Sequence, residues 1–138
     1  HNWPPARIFM GDVGSAFLGL VLATLAVAGA EVDPRLAVAG VLVVWPFVFD
    51  ASFTFIRRAL RHENVFEAHR SHLYQRLVIL GRSHRSVTVL YSILAILGGA
   101  LAVAWVLGLP LVAYLIVFLI PATAAGLWYY VRLQEHAR

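Results

Sequence analysis

Four long apolar runs, with one polar stretch between the second and the third, constrain this chain more than any other feature. Hydrocarbon offers no partner to backbone amides. A segment crossing it therefore closes its own hydrogen bonds as a helix of roughly 17–25 residues. The runs fall at about 13–30, 35–61, 86–107 and 111–131, and His62 to Arg85 joins the middle pair. The pattern predicts an all-α integral membrane fold with four transmembrane helices, in one domain over residues 1–138. Composition agrees: 61% of residues are hydrophobic and 13% charged, whereas soluble domains carry about 25% charged residues.

Within that frame the punctuation is specific. The first run is rich in Gly and Ala, which suits close helix packing. Glu31-Val32-Asp33-Pro34 reads as a turn, with Pro34 opening the second helix. Pro46 is expected to kink that helix, with Asp50 one turn further on. Gly98-Gly99 in the third span reads as a packing point, and Gly108-Leu109-Pro110 as the turn into the fourth. Trp45, Trp105, Trp128, Tyr129 and Tyr130 read as interface anchors or core. His1-Asn2-Trp3-Pro4-Pro5 has no signal-peptide character. With no initiator Met, the chain is expected to be a fragment of a larger polytopic bundle.

Charge sets the orientation. All eleven basic residues are arginine. Ten of them fall on one side of the four-span arrangement and only Arg35 on the other. The positive-inside rule then places residue 12, the 62–85 loop and the C-terminus in the cytoplasm. Arginines placed this way answer to topology, anionic lipid or phosphate groups, so no nucleic-acid partner is expected. There is no cysteine, which excludes disulfides, thiolate chemistry and Cys-based metal sites.

Three clusters on the arginine-rich side could carry chemistry. In Ile8-Phe9-Met10-Gly11-Asp12-Val13-Gly14-Ser15 a carboxylate sits between two glycines at the mouth of the first span. An acid there needs a cation, a metal or water, and hard carboxylate oxygens suit Mg²⁺. The plainer alternative is a helix cap. Asn2 could bond a base edge and Phe9 could stack on it; otherwise they are a turn residue and an apolar contact. In the loop Glu63-Asn64-Val65-Phe66-Glu67-Ala68-His69-Arg70-Ser71-His72-Leu73-Tyr74-Gln75-Arg76-Leu77, His and Arg donors suit a diphosphate. That stretch also reads as a solvated basic linker or, through His69 and His72, as part of a Zn²⁺ site. Asp50, among Phe47, Phe49 and Phe53, is either functional or bridged within the bundle, with Arg57 and Arg58 two turns along.

The run N-x-x-P-A-x-I-F-M-G-D-x-G-S, from Asn2 to Ser15, resembles the signature of the polyprenyl-phosphate N-acetylhexosamine-1-phosphate transferases of glycosyltransferase family 4. These are relatives of phospho-N-acetylmuramoyl-pentapeptide transferase. The resemblance spans essentially the whole chain but only the C-terminal part of the family. It implies transfer of a sugar-1-phosphate from a UDP-N-acetylhexosamine to undecaprenyl phosphate, with release of UMP. Asp12 is then the catalytic carboxylate holding Mg²⁺, or Mn²⁺ in its place, with His69 and His72 catalytic. Arg70, Tyr74, Gln75 and Arg76 are implied to grip the diphosphate or sugar, and Asn2 and Phe9 to seat uracil. Tyr74 and Gln75 stand where many relatives have further histidines, a departure similar to the O-antigen-type subgroup. The family's paired Asp-Asp has no match here, so it is expected upstream of His1 and the 138 residues alone are expected to be inactive. The resemblance also implies the bacterial inner membrane, a cytoplasmic active face and a homodimer. The competing reading is a non-enzymatic four-span transporter module or assembly subunit.

The orientation is testable against a cysteine-free background. In intact cells Glu31→Cys should react with a membrane-impermeant maleimide, and Glu67→Cys only after permeabilisation. The opposite labelling pattern would refute the orientation.

Overall fold

The structure is a computed structural model and describes residues 3, 7–8, 10–65, 67 and 70–137. It is all-α. The elements are α1 (Gly11–Val32), α2 (Arg35–Leu60), α3 (Leu73–Ile79), α4 (His84–Val106) and α5 (Val112–His136). Four of these are long and apolar enough to cross a membrane, at the four expected places. Their ends differ from expectation by a few residues. The largest shift is in α5, where Arg132, Leu133, Gln134 and Glu135 are good helix formers and the helix runs on to His136. At α4, the Ser83 hydroxyl accepts the Ser86 N–H at 3.1 Å, so the helix starts at His84.

Three helices end in the same way. After α2, the N–H of His62 reaches the Ala59 carbonyl and that of Glu63 reaches Arg58. The same pair of reverse bonds closes α3, through Gly81 and Arg82, and α4, through Gly108 and Leu109. Each motif needs one left-handed residue just past the cap. Gly81 and Gly108 supply it without strain, whereas at α2 the residue is His62, with φ 56°.

Helix α2 is the hub, with α1 on one flank and α4 antiparallel on another. It runs unbroken through Pro46, which is buried. Near the arginine-poor end, Arg35 donates to the Val106 carbonyl at 3.3 Å. At mid-depth, the Trp45 indole donates to the Leu94 carbonyl at 2.9 Å. That bond depends on Gly98, one turn along α4, having no side chain. A Cβ there would press on the Leu42 carbonyl oxygen and lie 2.5 Å from Trp45 Cδ1. The expected packing role of Gly98 is met, while Gly99 faces open space.

The polar 62–85 stretch is not an unstructured loop. Its middle forms α3, whose Leu73 and Leu77, one turn apart, are fully buried against Val87, Tyr91 and Val131. Burying two leucines contributes about 2 kcal/mol each, enough to fold a seven-residue helix that could not stand alone in water. A second apolar cluster, around Ala39, Leu42 and Ala102, holds the opposite half of the bundle.

Overpacking the α2–α4 contact should be costly. Gly98→Ala is expected to destabilise the protein in detergent by about 1–3 kcal/mol, whereas Gly99→Ala should be neutral or slightly stabilising. Equal melting temperatures for the two variants would contradict this contact.

Candidate functional site

The site grows from Asp50. Its carboxylate is 2% exposed, a costly place for an acid unless every oxygen is satisfied. Here the donors converge from three elements. Leu73 and Tyr74 donate their backbone N–H groups at 2.8 and 3.2 Å, and the Tyr91 hydroxyl donates at 2.7 Å. Thr54 adds its hydroxyl at 3.2 Å, and His72 Nδ1 lies 3.4 Å away. Asp50 therefore caps the start of α3 from another helix and ties α2, α3 and α4 together. Of the two expectations for it, bridging within the bundle is what the structure shows. Its partners are not Arg57 and Arg58.

Those arginines hold the segment that leads into α3. Arg57 donates to the Ser71 carbonyl at 2.7 Å. Arg58, 5% exposed, donates to the carbonyls of Asn64 and Glu67 at 2.5 and 3.2 Å and pairs with Glu63 at 3.2 Å. The segment's described residues are thus tied to α2 at several points, while Glu63, Asn64, Glu67 and Arg70 remain exposed. No group of three or more His, Asp or Glu suited to a metal occurs among the described residues.

Around this anchor, His72 stacks on Tyr74 with ring centroids 5.6 Å apart, and Tyr74 meets Tyr91 edge-on. Burial first, then the Asp50 charge, pushes the Tyr74 hydroxyl above its ordinary pKa. Tyr74 therefore stays a neutral hydrogen-bonding group at physiological pH. Gln75 accepts the His72 N–H at 3.3 Å, which closes the first turn of α3. Arg76 grips Glu135 of α5 through two nitrogens, at 2.7 and 2.5 Å. Arg70 is exposed. Tyr74, Tyr91, Phe47, Thr88 and Ser92 line a cavity of about 450 Å³.

Asp12 stands in the first turn of α1 and is exposed. It is not the helix cap: the N-cap residue is Met10, and the Asp12 carboxylate enters no hydrogen bond or ion pair among the described residues. Ser15 donates to the Asp12 backbone carbonyl at 3.0 Å. Met10 and Ser15 line a groove together with Phe47, Val48 and Ala51 of α2, which puts Asp12 at the α3 end of the bundle. The Phe47 ring, 5.8 Å from that of Tyr91, borders both this groove and the Tyr74 cavity. The structure therefore gathers Asp12, His72, Tyr74, Gln75 and Arg76 at one end. Asn2, Phe9 and His69 lie outside the described residues. Sequence reasoning missed Tyr91 and Thr54. Thr54, four residues after Asp50, carried a helical-spacing signal, but Tyr91, 41 residues away, carried none.

Four helices long and apolar enough to cross a membrane make this a multi-pass α-helical membrane architecture. The model of glycosyl transferase family 4 matches residues 1–30. The chain is 38% identical over 96 residues to a probable undecaprenyl-phosphate N-acetylglucosaminyl 1-phosphate transferase of Bacillus subtilis (strain 168), covering 67% of this chain and 27% of that protein. It is 32% identical over 151 residues to a decaprenyl-phosphate N-acetylglucosaminephosphotransferase of Mycolicibacterium smegmatis, covering 91% of this chain and 37% of that one. An undecaprenyl-phosphate alpha-N-acetylglucosaminyl 1-phosphate transferase of Thermotoga maritima is 35% identical over 80 residues, 56% of this chain and 26% of that protein. No solved structure matches. The chain belongs to glycosyl transferase family 4, and it spans between a quarter and two fifths of the length of these curated relatives.

Removing the anchor should unfold the site. Asp50→Leu leaves two backbone N–H groups and two hydroxyls without their acceptor and is expected to cost more than about 3 kcal/mol. Tyr91→Phe removes one bond and should cost about 1–2 kcal/mol. Chemical unfolding in detergent checks the order, and a larger loss for Tyr91→Phe would contradict it.

Proposed function

We propose that the protein carrying this chain transfers N-acetylhexosamine-1-phosphate from a UDP-sugar to a polyprenyl phosphate, releasing UMP. An oxygen of the lipid phosphate attacks the β-phosphorus of the donor. A new P–O bond forms, the bond to the bridging oxygen breaks, and UMP leaves with that oxygen. The observation that carries this reading is Asp12: an exposed carboxylate with no partner among the described residues, inside the segment matched by the family model and at the same bundle end as α3.

Asp12 fits the requirements of Mg²⁺ as one ligand. Its oxygens have no partner among the described residues and its side chain is exposed, and Mg²⁺ usually keeps several waters beside one or two carboxylates. The ion, when bound, neutralises charge on the phosphate oxygens. This chain's own residues orient and donate. Asp50 fixes the His72 ring through Nδ1, as a carboxylate behind a histidine does in many sites, so that His72 can serve the diphosphate or sugar. Tyr74 offers a neutral hydroxyl and a stacking face beside it. Arg76 acts through Glu135, and Arg70 is the exposed guanidinium of the segment. We place the reaction at the cytoplasmic face of a bacterial inner membrane, as the first lipid-linked step of a cell-surface polysaccharide. The names of the relatives favour this over a non-enzymatic transporter module or assembly subunit.

The test is UMP release by membranes containing the protein, given UDP-N-acetylglucosamine and polyprenyl phosphate. Activity should vanish with EDTA and return with Mg²⁺. Asp12→Asn should lower it by at least about 100-fold, with protein levels and melting temperature unchanged. Mg²⁺-dependent turnover that survives Asp12→Asn would remove the metal role.

A further inference from the structure

On the face of α2 opposite to the one lying against α1 is a second, chemically different cavity. It holds about 420 Å³ between α2, α3 and α5 at the arginine-rich end of the bundle. Arg57, Arg61, Arg76 and Arg132 all line it, with Trp128 and Leu60 on its apolar side. The carboxylate in its wall, Glu135, has both oxygens taken by Arg76. The positive charge of the cavity therefore exceeds the negative.

Two of the arginines carry a further signature. Arg57 Nε and Arg76 Nη1 are buried and have no hydrogen-bond partner among the described residues. A buried, unmet donor costs about 1–3 kcal/mol, more on a charged group, and native proteins rarely leave one without a reason. Arg57 spends its Nη2 on the Ser71 carbonyl and Arg76 spends two nitrogens on Glu135. The unmet nitrogens thus belong to guanidinium groups already fixed in place. Arg132 lies over the Trp128 ring, 5.4 Å from its centroid, and Trp128 meets Phe53 edge-on at 6.0 Å. His136 also lines the cavity, with its Nδ1 2.8 Å from the Arg132 carbonyl.

We propose that this cavity binds the phosphate of an anionic membrane phospholipid. A phosphate offers several strong acceptor oxygens, which is what fixed, unmet guanidinium donors lack. The choice of a lipid over a soluble anion rests on position. The cavity sits at the ends of two membrane-crossing helices, and Phe53 and the exposed Ile56 in its wall give an apolar surface on the membrane side of Arg61 for an acyl chain. Arginine over tryptophan is the arrangement of a membrane-interface anchor. The site lies across α2 from Asp12 and does not depend on the transfer reaction.

The test places the protein in phosphatidylcholine vesicles containing an equal mole fraction of either brominated phosphatidylglycerol or brominated phosphatidylcholine. Quenching of Trp128 is read as the difference between the protein and its Trp128→Phe variant. Phosphatidylglycerol should quench Trp128 preferentially. The double variant Arg61→Gln/Arg132→Gln, which alters exposed side chains, should lower the relative binding constant by more than about tenfold, roughly fivefold per arginine. Arg132→Lys, which keeps the charge, should retain most of the preference and shows that the loss is not one of folding. Equal quenching by the two lipids, or a preference unchanged in the double variant, would overturn the proposal. If 10 mM inorganic phosphate erased the preference, the site would serve a soluble anion and the lipid assignment would fall.

Discussion

A carboxylate placed almost out of reach of water must be surrounded by donors, and the arrangement of this bundle follows from how Asp50 meets that demand. Its oxygens collect two backbone N–H groups from the start of α3, a hydroxyl from α4 and another from its own helix. Each of these bonds is ordinary in strength. Together they require α2, α3 and α4 to meet at one point, because no member can leave without stranding a buried polar group. The short helix depends on this most. It is too brief to be stable by itself, and it persists because two leucines are buried below it and a carboxylate closes its first turn.

That anchoring gives the polar segment between the second and third spans its shape. Arg57 and Arg58 count as topology signals by the positive-inside rule, yet their guanidinium groups are turned inward onto carbonyls of the segment that follows. Charge that orients the protein in a membrane here also folds a loop. The outcome is a rigid platform bearing His72 and Tyr74 beside a cavity, with the exposed acid of α1 at the same end.

What could be read in the residues, and what could not, divides along physical lines. The four spans were legible because hydropathy over twenty residues is a local signal, and so was the shared side of Asp12 and the His/Arg segment, which follows from an even number of crossings. The packing role of Gly98 was legible from residue size. Helix α3 was not, since seven residues with two leucines carry too little periodicity and gain their order from contacts with α4 and α5. The bond from Tyr91 to Asp50 joins residues far apart in the chain, and the engagement of Arg76 by Glu135 joins two different elements. Neither leaves a trace in local spacing. Asp12 stood out through its neighbours in sequence, and the exposure of its side chain became visible only in three dimensions.

Helix α1 has no buried residue, and within this chain it rests on α2. At its far end small residues allow close approach, where a Cβ on Gly29 would press on Leu36 and one on Gly40 would press on Ala26. At 1.5 Å per residue, Asp12 stands roughly 25 Å from that seat. The helix is therefore a lever arm, and a tilt of about 5° at its seat would carry the carboxylate by about 2 Å, a full coordination bond length for a small divalent ion. Small residues near the arginine-poor end thus set where the carboxylate of α1 stands at the other end, and, under the proposed metal role, substitutions there would act on chemistry they never touch.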